Sequence, residues 1–183
     1  MPLKVLKTSI DGLLVIEPTV FNDNRGFFLE SWNSNDFSEA IGDRVEFVQD
    51  NHSHSLQGVL RGLHYQLNKT QGKLVRVISG KVLDVVVDLR KNSATFGKHF
   101  TIELSDKNML QLWIPEGFAH GYITLSNEAD FLYKTTNYYS PEDEVCIKWN
   151  DPVLNIDWGY SGIIVLSESD SNALDFKEAP IFK

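Results

Sequence analysis

Period two governs this chain. Apolar and polar residues alternate over short runs closed by Gly, Asn, Asp or Pro, and few runs carry the 3.6-residue period of a helix. Runs at 13–17, 26–32 and 46–51 read as strands. Runs at 73–79 and 81–89, rich in Val and joined at Ser79-Gly80, read as a hairpin buried on at least one face. The series continues at 100–104, 109–114, 121–125, 131–139 and 145–149. So many short strands at this spacing specify a mainly all-β fold, a sandwich or barrel, with a few short helices. One helix is expected at 33–42, with Asn33 or Ser34 as cap, Phe37, Ala40 and Ile41 on one face and Gly42 as stop; a second is expected near 170–176. No repeat or linker interrupts the 183 residues, so one domain spanning 1–183 is expected, with loops at Pro152 and at 159–162.

Charge and cysteine content narrow the functions available. A net charge of -8, from 25 acidic and 17 basic residues, lacks the basic surface that nucleic acid or an anionic membrane would require. An anionic ligand must then meet a local cluster of cations. The single cysteine, Cys146, has no internal disulfide partner. No stretch approaches the roughly 18 apolar residues of a membrane span, and residues 1–7 contain no apolar signal core. A soluble, cytoplasmic protein is expected.

The densest polar stretch is Arg61-Gly62-Leu63-His64-Tyr65-Gln66. Histidine accepts a proton near neutral pH without special burial, so His64 is the first candidate base, although a lone strand histidine is commonly structural. Tyr133 is a candidate proton donor, since a phenol keeps its proton at neutral pH; the plainer reading is a core tyrosine with its hydroxyl satisfied. Asp170 either caps a helix in Ser167-x-x-Asp170 or holds one ring nitrogen of His64, and the sequence does not choose. Arg25, Arg61 and Lys73 are cations beside strands, suited to a diphosphate or an enolate oxygen. Neither a Gly-x-Gly-x-x-Gly nor a Walker-type loop is present, so a dinucleotide fold and phosphoryl transfer are unsupported.

Pro115-x-Gly117-x-x-His120 resembles the second motif of the cupin jelly roll. Where a metal-binding cupin has the second histidine of its first motif, this chain has Gln66, which disfavours a metal centre. His52 and His54 also form a His-x-His, but their setting, Asn51-His52-Ser53-His54-Ser55, reads as a solvated loop.

Taken together, Asp23-Asn24-Arg25-Gly26-Phe27-Phe28, Phe47-Val48-Gln49-Asp50-Asn51, Val59 through Gln66, Gly72-Lys73-Leu74-Val75-Arg76, Ile114 through Gly121, Tyr133-Lys134-Thr135-Thr136 and Ser167-Glu168-Ser169-Asp170 resemble the dTDP-4-dehydrorhamnose 3,5-epimerase family over nearly the whole chain. The resemblance implies a cupin-like jelly roll, free of metal and cofactor, that forms homodimers in which an N-terminal segment crosses to the partner. It implies inversion of C3 and C5 of dTDP-4-dehydro-6-deoxy-D-glucose through C4 enolates. Residue by residue, it implies His64 as general base, Tyr133 as general acid, Asp170 as the group orienting His64, and Lys73 at the enolate oxygen. Arg25, Phe27, Glu30, Gln49, Asp50, Asn51, Arg61, His120, Tyr139, Glu144 and Ser169 fall on substrate-binding positions, with Tyr139 stacking on the nucleotide. Ser169 stands where the family commonly has lysine, so that contact is lost or supplied elsewhere. Alternatives are an enzyme inverting one carbon only or acting on a related dTDP-keto-deoxysugar, a non-catalytic sugar-binding jelly roll, and a metal-dependent cupin dioxygenase.

Overall fold

The computed structural model describes residues 3–182; Met1, Pro2 and Lys183 lie outside them. Two antiparallel sheets pack face to face. The first runs in the order β1 (Lys4–Lys7), β2 (Leu14–Glu17), β10 (Gln111–Ile114), β7 (Lys73–Ser79), β12 (Glu128–Thr135), β5 (Gln49–Leu56). The second runs β13 (Glu144–Cys146), β6 (Leu60–Gln66), β11 (Phe118–Thr124), β8 (Lys81–Asp88), β9 (His99–Ser105). A separate hairpin pairs β3 (Val20–Asp23) with β4 (Gly26–Leu29). The non-consecutive neighbours are those of a jelly-roll sandwich: the period-two pattern called for a sandwich or barrel, and the resemblance implied the jelly roll.

Apolar layers form both between the sheets and outside them. Val75, Val77, Leu112 and Phe131 from the first sheet meet Val82, Val86, Leu104 and Tyr122 from the second. The outer face of the second sheet, including Leu60, Leu63, Tyr65, Val85 and Val87, is covered by Leu154, Trp158, Phe176 and Ala179 of the C-terminal segment. Tyr65 is structural there, its hydroxyl donating to the Pro180 carbonyl. The outer face of the first sheet packs Ile16, Leu74 and Trp113 against Phe37 of α1 (Ser34–Ile41). That helix begins where expected: the Asn33 side chain accepts the N–H groups of Asn35 and Asp36, and Gly42 closes it at φ 75°.

Three expectations are corrected. The Val-rich runs do not form a hairpin with each other: β7 pairs with β10 and β12, whereas β8 pairs with β11 and β9 in the opposite sheet. Gly80, at φ 76° with no space for a Cβ beside the Glu128 carbonyl, turns the chain across the sandwich. Strands buried on both faces carry no alternation to reveal which neighbour they pair with. Second, His52 to Ser55 is not a loop but the middle of β5, with Ser53 and Ser55 turned to the Tyr122 hydroxyl. Polar residues on both sides hid its period. Third, the second helix, α2, covers only Glu168–Ser171.

Candidate active site

A β-bulge builds the site. In the pairing of β11 with β6, His120 stands opposite His64 and Tyr122 opposite Arg61, so Gly62 and Leu63 together oppose the single residue Gly121. In a regular strand residues three apart face opposite sides, but this extra residue turns Arg61 and His64 to the same side. Both line a cavity of about 200 Å³ between the sheets, with Lys73, His120, Tyr133 and Asp170.

His64 Nε2 donates to Asp170 Oδ1 at 2.6 Å. Asp170 also accepts from the Gly62 N–H at 3.2 Å and from the Ser167 hydroxyl at 2.7 Å, while its own N–H donates to Ser167 Oγ. Both readings of this aspartate therefore hold at once: the turn that caps α2 is the device that aims the carboxylate at His64. Burial alone would raise the Asp170 carboxyl, but the hydrogen bonds from His64, Ser167 and Gly62 outweigh it and hold it at about 2. An ionised partner requires the proton on Nε2, which leaves the other ring nitrogen of a neutral His64 as an acceptor.

The opposite sheet supplies Lys73 and Tyr133. Burial lowers the Lys73 ammonium to about 8, with Glu144 and Asp84 opposing the fall. Burial, reinforced by Tyr122 and Glu144, raises the Tyr133 phenol although Arg61 pulls it down. Tyr133 thus keeps its proton across the neutral range. Arg61 is anchored by Nε to Ser55 Oγ at 3.0 Å, and His120 Nε2 donates to Asp84 Oδ2 at 2.9 Å.

Asp84, fully buried in the Val-rich β8, was missed in the sequence; its other oxygen has no hydrogen-bond partner among the described residues. A signal existed, since a carboxylate amid buried valines must be paired. Tyr122 and Ser53 also line the cavity and were not singled out, and Ser167, named only as part of a helix cap, lines it too.

Other predicted positions lie around this centre. Asn51 faces Tyr133 in the β5–β12 register, and Gln49 donates to its side-chain oxygen. The Tyr139 N–H donates to Gln49 Oε1 and its hydroxyl to Glu144 Oε2, which ties these four into one polar chain. Asp50 is held by Lys134. Asp50, Asn51 and Tyr133 border a second hollow, with Trp32, Arg76 and Gln111. Gln49, Asp50, Asn51, Tyr139 and Glu144 do not line the His64 cavity itself, and four further predicted residues do not either. Arg25, paired with Asp23, and Phe27 sit on the exposed β3–β4 hairpin, Glu30 follows it, and Ser169 is exposed on α2.

Comparison with known proteins fits this architecture. The family model described as dTDP-4-dehydrorhamnose 3,5-epimerase matches residues 7–178. A dTDP-4-dehydrorhamnose 3,5-epimerase of Shigella flexneri is 55% identical over 181 residues, covering 98% of this chain and 99% of the relative. The crystal structure of dTDP-6-deoxy-D-glucose-3,5-epimerase from Legionella pneumophila, in complex with dTDP-4-keto-L-rhamnose, superposes with a TM-score of 0.95 at 48% identity, covering 97% of this chain and 95% of that one. ChmJ, a 3′-monoepimerase from Streptomyces bikiniensis in complex with dTDP-quinovose, reaches a TM-score of 0.87 at 31% identity over 92% of this chain and 85% of its own. With the match running from residue 7 to residue 178 and identity above one half along nearly the full length, the chain belongs to the dTDP-4-dehydrorhamnose 3,5-epimerase family.

Proposed function

We propose that this protein inverts C3 and C5 of dTDP-4-dehydro-6-deoxy-D-glucose in the making of dTDP-L-rhamnose. The observation that carries the reading is that His64 and Tyr133 enter one cavity from opposing sheets. A proton beside a ketone is acidified by delocalisation into the carbonyl. Removing it requires a base on one face of the sugar, a cation at the C4 oxygen and an acid on the other face. His64, oriented by Asp170, takes the proton; Lys73 stabilises the enolate oxygen; Tyr133 returns a proton from the opposite face, which inverts the carbon. The same set acts at C3 and C5 because both carbons adjoin the C4 carbonyl. No electron changes hands, so this chemistry calls for no redox cofactor.

Arg61 and His120 bind the sugar and its diphosphate, and the chain formed by Gln49, Asn51, Tyr139 and Glu144, with Asp50 and Ser169 nearby, holds the nucleotide end. The protein works as a cytoplasmic homodimer in which the N-terminal segment crosses to the partner. Phe21, Phe27 and Phe28 are half or more exposed on the β3–β4 hairpin, a patch that burial against a second chain would stabilise. That arrangement gives Arg25, Phe27 and Glu30 a role in substrate binding that the single chain does not. Among the described residues no helix is long and apolar enough to cross a membrane.

The second reading, inversion at C3 alone, is favoured by the likeness to ChmJ. Turnover of dTDP-4-dehydro-6-deoxy-D-glucose in deuterated water separates the two. Deuterium at both C3 and C5 is expected; label at C3 only would replace the double epimerase by the mono-epimerase.

A further inference from the structure

A thiol sits beside the base and the mechanism leaves it unused. Cys146 lies on β13, paired in register with His64 on β6, and its Sγ is 3.5 Å from the same Asp170 oxygen that accepts from His64. The donor atoms of His64, Cys146 and Asp170 all lie within 4.8 Å of one another. One imidazole, one thiol and one carboxylate, brought in by three separate elements, make the mixed N, S and O donor set of zinc.

The spacing can be tested against zinc's bond lengths. A tetrahedral ion about 2.0 Å from N and O and about 2.3 Å from S sets N and O about 3.3 Å apart and O and S about 3.5 Å apart. The O···S separation of 3.5 Å is already that value. The N···O distance of 2.6 Å has to open by about 0.7 Å, which a change of side-chain torsion provides. Asp170 is held from behind by the Gly62 N–H and the Ser167 hydroxyl, the kind of support that fixes a ligand's orientation. His64 and Cys146 are both partly exposed, so an ion has access, and the cavity provides room for a fourth ligand such as water.

We propose that His64, Cys146 and Asp170 form an inhibitory site for Zn²⁺ and similar thiophilic divalent cations. The ion takes the place of the Nε2 proton and of the thiol proton. A neutral imidazole that gives its Nε2 lone pair to a metal carries its hydrogen on Nδ1, so the nitrogen left to act as base can no longer accept a proton. Metal loading therefore switches off proton abstraction without reaching the substrate. The inhibition rests on His64 being the base; the binding does not.

Cobalt titration of the purified chain reads the ligation directly. Thiolate-bound Co²⁺ has a near-ultraviolet charge-transfer band, and Cys146 is the only cysteine in the sequence, so the band reports this site alone. One equivalent of Co²⁺ per chain is expected to develop the band, Zn²⁺ to bleach it, and Cys146→Ser to lose it. With each protein referred to its own uninhibited rate, Cys146→Ser and Cys146→Ala should need at least about tenfold more Zn²⁺ for half inhibition. A wild-type protein without the band, or equal Zn²⁺ sensitivity in wild type and either variant, would overturn the proposal. A band in a protein that exchanges no substrate protons would support the site and sink the epimerase reading instead.

Discussion

Gly62 and Gly121 cross backbone to backbone: a Cβ on Gly62 would stand 2.6 Å from the Gly121 Cα, and one on Gly121 would stand 2.6 Å from the Arg61 carbonyl oxygen. The bulge that turns Arg61 and His64 to one wall exists only while both positions lack side chains. Gly62 also sits at φ 117°, where a side chain adds strain. Gly62→Ala is expected to cost more than about 1 kcal/mol of stability. It should also lower kcat/KM by about 10²-fold, the effect of misplacing a base by about 1 Å. Gly42→Ala is the control, because Gly42 has positive φ but open space around it. Denaturant unfolding and kinetics of the two variants should show stability lost in both and activity lost only at Gly62.

His64 and Tyr133 reach the cavity from different sheets, so their losses should be separable. His64→Ala is expected to reduce solvent exchange at both C3 and C5 by about 10²- to 10⁴-fold. Tyr133→Phe should still release the proton but return it to the face it left, exchanging deuterium without completing inversion. The measurement is mass-spectrometric deuterium content beside the yield of epimerised sugar. Normal epimerisation by Tyr133→Phe would remove the phenol from the mechanism.

Much of this site was legible from the sequence, partly from the chemistry of single side chains and partly from motifs shared with a known family. His64 and Tyr133 stand out as groups whose protons suit acid–base chemistry and Arg61 and Lys73 as cations, whereas His120 enters through its motif and the family resemblance and Asp170 through one of two open readings; all six share one cavity. The alternation that announced strands could not say which strands meet. The β7 and β8 runs were read as partners because Gly80 lies between them, yet both carry apolar residues on either face and each belongs to a different sheet. Asp84 escaped notice because its partner, His120, is 36 residues away and becomes its neighbour only through the β8–β11 pairing. Phe27 was legible only by resemblance and Arg25 also as a cation beside a strand; within one chain neither lines the cavity.

Acid stability should depend strongly on a carboxylate remote from the chemistry. Asp88 is fully buried; burial would raise its carboxyl, but hydrogen bonds from Arg90, Ser93 and Thr95 hold it at about 2. A folded value below the unfolded one stabilises the protein above about pH 4, and that stability is lost as pH falls toward 2. Asp88→Asn is therefore expected to be less stable at pH 7 by about 2 kcal/mol, and to lose less on acidification. Urea unfolding from pH 7 to pH 3 compares them. Parallel curves for wild type and variant would show that Asp88 is not the group being titrated.

Lys73 is expected to set the alkaline edge of activity, and two substitutions should move that edge in opposite directions. Its ammonium, lowered by burial to about 8, must be charged to stabilise an enolate oxygen, so kcat/KM should fall as pH rises through 8. Lys73→Arg retains the charge far above that pH. This variant should be slower, because a guanidinium does not fit the ammonium's place, but its rate should stay level through pH 9. Asp84→Asn acts the other way. The Asp84 charge counteracts the desolvation of Lys73, so its removal lets the ammonium fall further and shifts the edge below pH 8. Both variants lose rate, and a merely structural effect would lower the whole profile without displacing it. The position of the alkaline limb, measured from pH 6 to pH 9.5, is therefore the informative quantity. An edge that stayed fixed in both variants would assign the limb to another group and remove Lys73 from the enolate oxygen.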